Sequence, residues 1–208
     1  MKRIELSDLK NILEYEKVRN DFRSKIIEIK KERRLKVGDR ITLTFENRYT
    51  VVFQIEEMMR IERIVDEEKI NSEIESYNEL IPGENELSAT LFVEVDEKNQ
   101  IKPVLDSLVG FNKDSLFLQI GEKKIPAVFE EGHATDDRIS AVQYVRFKLS
   151  PADVEAFGKR STTVRMIANH ASYNAMADFP KEVRESLSRD FTQGSSVNVW
   201  KLNLTVHE

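Results

Sequence analysis

Alternating apolar and polar side chains at residues 41–53 constrain the fold of this chain more than any other feature. The apolar members of the pattern are Ile41, Leu43, Phe45, Val51 and Phe53. The polar run Glu46-Asn47-Arg48 divides the pattern into two halves. Because successive side chains of a β-strand point to opposite faces of a sheet, the pattern predicts two strands joined by a short turn. Such a β-hairpin makes the sheet antiparallel.

Further strand patterns follow along the chain. The apolar runs 116–120 and 125–129 flank a polar turn at residues 121–124 and predict a second hairpin. Single strands are predicted at residues 89–95, 141–149 and 162–168. Strands joined by hairpins, with helices concentrated near the N-terminus, indicate an α+β fold. We therefore expect a mainly antiparallel sheet built from hairpins, with a long N-terminal helix and a few shorter helices packed on it.

Helical periodicity governs residues 6–35 and begins again at residue 54, directly after the predicted hairpin. Shorter helices are predicted from Ser150-Pro151 and from Pro180. No linker rich in Gly, Ser and Pro divides the chain, so residues 1–193 are predicted to form a single domain. Residues 194–208 are predicted to be a C-terminal extension, in which alternating apolar residues could add a last strand.

The composition excludes several classes of protein. The 208 residues contain no cysteine, which excludes disulfides and thiolate-bound metals and fits a reducing compartment. No apolar run approaches the roughly 20 residues that span a membrane. The sequence also lacks a Gly-rich phosphate loop and a GxSxG nucleophile motif. We therefore expect a cytoplasmic protein that does not insert into membranes.

Charge is distributed unevenly along the chain. The net charge of −5 argues against nucleic-acid binding, although the basic residues of 17–36 keep that hypothesis open. Residues 1–40 carry a net charge of +5, and residues 54–97 carry a net charge of −11. This asymmetry indicates either solvated faces that lie side by side in the fold or a basic surface that docks an acidic protein partner.

Residues 54–64 place polar groups on both sides of the predicted helix. At about 100° per residue the apolar face is centred near Met58, and Glu62 and Gln54 fall on that face. The polar residues on the far side are Glu56, Arg60 and Arg63. A carboxylate that faces a core must be paired, hydrogen-bonded or protonated. Glu62 is therefore expected to form a structural ion pair, to reach solvent at the helix edge, or to act in a pocket as a base or metal ligand.

His170 has surroundings typical of a pocket, because it follows a predicted strand and precedes Ser172 and Tyr173. The alternative is a loop histidine that bonds the local backbone. Glu130 and His133 have ExxH spacing, but with a single copy and Gly132 between them the favoured interpretation is a solvated acidic loop, with a divalent-metal site as the alternative. The candidate pocket comprises Glu62, Arg60, Arg63, His170, Tyr173 and Gln54.

The runs Phe45-Glu46-Asn47 and 54–64, with Thr50 between them, resemble a bacterial family called domain of unknown function 3501. Further similar positions are Tyr15, Arg19, Arg33, Arg34, residues 77–82, Arg146, Phe147, His170 and Tyr173. The resemblance covers residues 3–192. The sequence departs from the family at Asn169-His170-Ala171, where the family has an Asp-His-Pro run. The family has no assigned activity, and its gene neighbourhoods imply an accessory role in redox or oxidative-stress metabolism.

Two classes of function follow from these features. The first is a non-catalytic accessory or binding protein, with an acidic or redox-related protein partner or a second copy of the chain. The second is a small enzyme or metal-binding protein in which Glu62 and His170 share a pocket. The sequence assigns no catalytic residue and no cofactor.

Overall fold

A computed structural model describes residues 1–131, 138–192 and 199–201. In these ranges the helices are α1 (Ile12–Lys31), α2 (Arg48–Glu62), α3 (Glu67–Asn78), α4 (Ile101–Ser107), α5 (Pro151–Gly158) and α6 (Lys181–Thr192). The strands are β1 (Arg34–Val37), β2 (Ile41–Phe45), β3 (Glu86–Val93), β4 (Leu116–Ile120), β5 (Lys123–Pro126), β6 (Val128–Phe129), β7 (Val142–Lys148), β8 (Val164–His170) and β9 (Tyr173–Asp178). Short 3-10 turns lie at Leu6–Asp8, Lys98–Gln100 and Val199–Lys201.

The described strands form two antiparallel sheets. The first sheet has the order β1-β2-β3-β7-β6, and the second has the order β5-β4-β8-β9. Their facing sides share an apolar core that includes Leu43, Phe45, Leu91, Phe147, Leu118 and Met166. The α+β fold with a long N-terminal helix is therefore confirmed.

Helices α1, α2 and α3 form what we call the helical layer, which has an apolar core of its own. Its buried members include Tyr15, Phe22, Val52, Ile55, Met59 and Ile74. Trp200 packs on this layer, with its ring centroid 4.7 Å from that of Phe22 and its Nε1 donating to the carbonyl of Asp8 at 2.8 Å. In the ranges that the structure describes, no helix is both long enough and apolar enough to cross a bilayer.

The predicted hairpin over residues 41–53 is wrong in its second half, because residues 48–62 form α2. A capping box starts this helix: the Asn47 side chain accepts from the Thr50 backbone N–H at 3.1 Å, and the Thr50 hydroxyl accepts from the Asn47 N–H at 3.0 Å. Val51 and Val52 then face the helical layer. The hairpin partner of β2 is instead β1, in the register Leu35↔Leu43, which the sequence assigned to the end of the first helix.

Other sequence predictions fare unevenly. The hairpin of β4 and β5 and the Ser150-capped helix α5 are confirmed. Strand β9 was not predicted, because its inward side chains after Tyr173 are Ala175 and Ala177, which have weak strand propensity. Of the predicted last strand, residues 199–201 form a 3-10 turn, and residues 193–198 and 202–208 lie outside the described residues.

Candidate functional site

Glu62 is exposed at the end of α2, which agrees with the alternative that it reaches solvent and not with its placement on the apolar face of the helix. The physical reason is its place along the helix: Glu62 is the last residue of α2, beyond the buried part that ends near Met59, and Ile61 beside it is exposed as well. Because α2 starts early, at Arg48, Val51 and Val52 join Ile55 and Met59 and centre the buried face about 75° from Met58. The adjoining Arg63 is exposed as well and ends the helix in a left-handed conformation with φ 53°.

Glu56 is the buried carboxylate of α2, so its predicted place on the exposed side of the helix is wrong. Its side chain is 1% exposed and accepts a hydrogen bond from the Lys10 backbone N–H at 2.7 Å. Burial raises the pKa of the Glu56 carboxyl to about 7, because the apolar surroundings disfavour the charged form. Glu56 is therefore a titratable group inside the helical layer.

The neighbouring Glu57 lies in a polar network at the surface of the same layer. Arg19 donates two hydrogen bonds to its carboxylate, at 2.7 Å and 2.9 Å, and the Tyr15 hydroxyl donates a third at 2.8 Å. The hydrogen bond from Arg19 is the main cause that lowers the pKa of Glu57. Arg60 lies 3.7 Å from Glu57 and 3.5 Å from Glu16, so its surroundings are those of a structural ion-pair network.

Such ion pairs account for part of the charge asymmetry of the chain. Cations from residues 1–40 meet carboxylates from residues 54–97 in the pairs Arg3–Glu79, Arg19–Glu57, Arg34–Glu94 and Lys36–Glu94. The basic and acidic segments therefore lie against each other in the fold. This arrangement agrees with the interpretation that the charged faces lie side by side. The cations in these pairs are already bound to carboxylates of the same chain, so they are less available to an acidic partner.

His170 and Tyr173 face each other across the β8–β9 hairpin. His170 Nε2 lies 3.1 Å from the Val109 carbonyl oxygen, and its Nδ1 accepts from the Ser172 N–H at 3.3 Å. The Tyr173 hydroxyl donates to the Val37 carbonyl at 2.5 Å and thereby joins the two sheets. The structure thus brings these two residues together in the second sheet. The other four candidates lie in the helical layer: Gln54, Arg60 and Glu62 on α2, and Arg63 at its C-cap.

Gln54 leads to a polar cluster that the sequence did not reveal. Its side-chain amide donates to Glu46 Oε2 at 3.1 Å. The Thr90 hydroxyl donates to Glu46 Oε1 at 2.6 Å, and the Thr50 hydroxyl donates to Oε2. Glu46 is only 3% exposed, and it has no ion-pair partner within 4 Å in the ranges that the structure describes. The cluster is therefore a buried carboxylate held by neutral donors alone.

A cleft of about 240 Å³ opens above this carboxylate, between the helical layer and the first sheet. Its lining residues are Lys30, Arg34, Thr44, Glu46, Gln54, Thr90 and Phe92. We call it the Glu46 cleft. These residues come from α1, β1, β2, α2 and β3 and from the turn before α2, so only the tertiary fold brings them together. A sequence signal was nevertheless present, because Glu46 directly precedes the N-cap of α2 and Thr44 lies on the polar side of the strand alternation.

The described ranges contain no group of three or more acidic or histidine side chains arranged to hold a metal ion. His133 of the predicted acidic loop lies outside the described residues.

An α+β fold of two antiparallel sheets and a helical layer, with a polar cleft between layer and sheet, defines the architecture of this protein. The chain belongs to the family described as "Protein of unknown function (DUF3501)", whose model matches residues 3–191. The resemblance seen in the sequence is thereby confirmed.

A crystal structure of a protein of unknown function from Burkholderia pseudomallei is similar over nearly the whole fold. The TM-score is 0.84 at 30% sequence identity, and the alignment covers 91% of this chain and 99% of that chain. A comparison with proteins of curated function yields no significant match.

Proposed function

We propose that this protein is a non-catalytic binding protein whose ligand is a small zwitterion held in the Glu46 cleft. The observation that carries the proposal is the buried carboxylate of Glu46, which lacks a cationic partner in the described ranges and opens on a cleft with cations at its rim. A carboxylate buried without a counter-charge costs several kcal/mol. A bound ammonium group would offset that cost.

The hydrogen bonds of Glu46 leave room for such a group. Oε2 accepts from Thr50 and Gln54, whereas Oε1 accepts from Thr90 alone. Because each carboxylate oxygen can accept about two hydrogen bonds, Oε1 has a free acceptor site for a ligand N–H. The Thr44 hydroxyl, which makes no hydrogen bond in the described ranges, offers a second contact on the cleft wall.

The rim of the cleft suits the anionic end of a zwitterion. The Lys30 ammonium lies 5.6 Å from the Phe53 ring centroid and has no carboxylate within 4 Å in the part of the chain described. Arg34 donates to Glu94 at 2.8 Å, and its side chain is 57% exposed, so this pair is weak enough to exchange for a ligand carboxylate. Phe92 adds an apolar surface between the two charged ends.

The volume of the cleft limits the size of the ligand. About 240 Å³ corresponds to on the order of eight water molecules at about 30 Å³ each. It is smaller than the roughly 300 Å³ at which drug-sized sites begin. A free amino acid with a small side chain fits within this volume, and it carries the ammonium and carboxylate that suit the two ends of the cleft.

The accessory role that the family resemblance implies is part of the proposal. A protein that holds a metabolite without converting it acts through a partner, which could be an acidic or redox-related protein or a second copy of this chain. With no cysteine, the chain supplies no thiol chemistry of its own, and the cytoplasm is the proposed location.

The alternative of a small enzyme or metal-binding protein around Glu62 and His170 has no observation in its favour. Glu62 is exposed in the helical layer, and the ring nitrogens of His170, in the second sheet, contact the backbone of Val109 and Ser172.

Isothermal titration calorimetry with the full chain tests the proposal. Small amino acids should bind at least tenfold more tightly than alkylamines or monocarboxylates of the same size, and the recovered ligand should be chemically unchanged. Glu46→Gln and Lys30→Ala should each weaken binding at least tenfold. Lys17→Ala, which removes an exposed cation of α1 outside the cleft, serves as the matched control and should bind normally. Equal affinity of the wild type and Glu46→Gln, or no binding of any zwitterion, would overturn the proposal.

A further inference from the structure

A second cleft, of about 610 Å³, lies between the C-terminal end of α5 and α6. Its lining residues are Gly158, Arg160, Phe179, Lys181, Arg184, Glu185, Ser188 and Arg189. Four of them are cationic and one is acidic, so the cleft is strongly positive although the whole chain carries a net charge of −5. It shares no lining residue with the Glu46 cleft.

Arg184 provides a positive charge that no carboxylate neutralises in the described ranges. Its guanidinium donates to the carbonyls of Phe157 at 2.6 Å, Thr162 at 2.7 Å and Ala156 at 3.3 Å, and also to that of Lys159. These carbonyls satisfy its hydrogen bonds but carry no formal charge. Because arginine stays protonated in proteins, the base of the cleft keeps a full positive charge.

The other cations of the cleft can turn to a ligand at little cost. Arg160 pairs with Glu185 at 3.2 Å with its side chain 84% exposed, and Arg189 pairs with Glu32 at 3.3 Å with both side chains more than half exposed. Exposed ion pairs of this kind contribute about 0–1 kcal/mol, so an anionic ligand can replace the acidic partners. Lys181 begins α6, where the helix dipole adds a positive potential, and it has no ion-pair partner in the described ranges.

Helix α6, which forms one wall of the cleft, is anchored by Arg33 on its side facing away from the cleft. Arg33, which is 1% exposed, donates to the Asp190 carboxylate and to the Ser186 hydroxyl, both on the face of α6 turned toward the first sheet. Its guanidinium also donates to the carbonyls of Phe45 at 2.8 Å and Glu46 at 3.0 Å. These contacts fix the backbone of α6, which carries Lys181, Ser188 and Arg189, so only the side chains must be ordered on binding.

We propose that this cleft binds a small phosphorylated metabolite. Phosphate suits it better than a single carboxylate, because a dianion can be met by several cations at once and arginine donors match phosphate oxygens. The volume lies within the range of about 300–1,000 Å³ typical of small-molecule sites. Phe179 gives the phosphate-free part of the ligand an apolar contact.

The test is calorimetry on the full chain with adenosine monophosphate, inorganic phosphate and adenosine as probes. The monophosphate should bind at least tenfold more tightly than adenosine, and its affinity should fall as salt is raised. The double variant Arg160→Ala/Lys181→Ala should lose at least tenfold in affinity. Both side chains are exposed, so its stability should stay close to that of the wild type.

The matched control is Lys98→Ala/Lys124→Ala, which removes the same charge from exposed positions elsewhere and should bind the monophosphate normally. Glu46→Gln should also leave this affinity unchanged, so failure here and failure of the zwitterion site are distinguishable. Equal binding of adenosine and its monophosphate, or no binding of any probe, would reject the site. An oligonucleotide that binds far more tightly than the monophosphate, with a steep salt dependence, would replace it with nucleic-acid binding.

Discussion

The two faces of the first sheet bury side chains of opposite character. Toward the second sheet, β2 and β3 direct Leu43 and Leu91 into a mainly apolar core. Toward the helical layer, the same strands direct Thr42, Thr44 and Thr90, and the Thr42 hydroxyl is buried with no hydrogen-bond partner in the described ranges. The face toward the second sheet thus contributes apolar burial. The face toward the helical layer keeps buried polar groups, and apolar side chains in their place would make the protein more stable.

The same contrast recurs within the helical layer, between two adjacent carboxylates of α2. Glu56 is buried with a single backbone donor, and Glu57 is held at the surface by Arg19 and Tyr15. Their pKa values move in opposite directions, upward for Glu56 and downward for Glu57. Each carboxylate should therefore leave a different signature in the dependence of stability on pH.

Leu43→Ala should produce the largest effect, because it empties part of the core between the sheets. Leu43 is 0% exposed, and a buried Leu→Ala change costs about 2–5 kcal/mol. Urea unfolding followed by circular dichroism measures the loss of unfolding free energy. A loss of unfolding free energy below about 1 kcal/mol would contradict the inference that this face of the sheet forms a close-packed apolar core.

Glu56 should make the protein less stable as pH rises. Its carboxyl has a pKa of about 7 in the folded state against 4.5 as the unperturbed value, so the folded state holds a proton that the unfolded state has released. This contribution is fully present below pH 4.5 and is lost as pH rises through about 7. From the size of the shift it amounts to about 3 kcal/mol.

Glu56→Gln keeps the acceptor for the Lys10 N–H and removes the titration. Unfolding free energies of the variant measured between pH 5 and pH 8 should lack this decline, so the variant should be the more stable protein at pH 8. An unchanged pH profile would contradict the burial of a titrating Glu56.

Glu57→Gln should have the opposite sign and a smaller size. The pKa of Glu57 is lowered, so its ionised form stabilises the protein above pH 4.5, and that contribution is lost as pH falls through the folded-state pKa. Loss of charge-assisted hydrogen bonds from Arg19 should cost about 1–2 kcal/mol at pH 7. The difference from the wild type should shrink in acid, and a constant difference from pH 7 to acid would refute this account.

Thr44→Val should have the smallest effect on stability, although it lies next to Leu43 in the same strand. The Thr44 hydroxyl makes no hydrogen bond in the described ranges, so the change should stay within about 0.5 kcal/mol in urea unfolding. Affinity for a small amino acid should nevertheless fall several-fold. Leu43→Ala provides the converse control. Its affinity is measured without urea, where the variant is still folded, and it should show lower stability with unchanged affinity.

The sequence revealed the apolar face of the sheet better than the polar one, for a physical reason. Apolar alternation at Leu43 and at Phe147 is a local signal, and the strands that carry it were predicted. Val51 fits a strand and a helix equally well, and the capping box of Asn47 and Thr50 decides for the helix. The two valines shift the buried face toward Glu56, and the end of α2 at Glu62, which a helical wheel does not show, leaves that carboxylate in solvent.

The Glu46 cleft could not be predicted in the same way. Thr90 lies far from Glu46 in the sequence, and only the pairing of β2 with β3 brings their side chains within 2.6 Å. Gln54 was singled out because it broke the apolar pattern of a helix, although its polar partner lies in the turn before that helix. Sequence patterns thus identified one member of the cluster, and the long-range contacts supplied the rest.

Trp200 is the sole tryptophan of the chain, and its ring lies against Phe22 and Tyr15 in the helical layer. Its fluorescence emission therefore reports on that layer and carries no direct signal from the core between the sheets. Far-ultraviolet circular dichroism reports on the secondary structure of both. If the fluorescence changes at a lower urea concentration than the circular dichroism, the helical layer separates from the sheets before they unfold. Coincident transitions mean that all three layers form one cooperative unit.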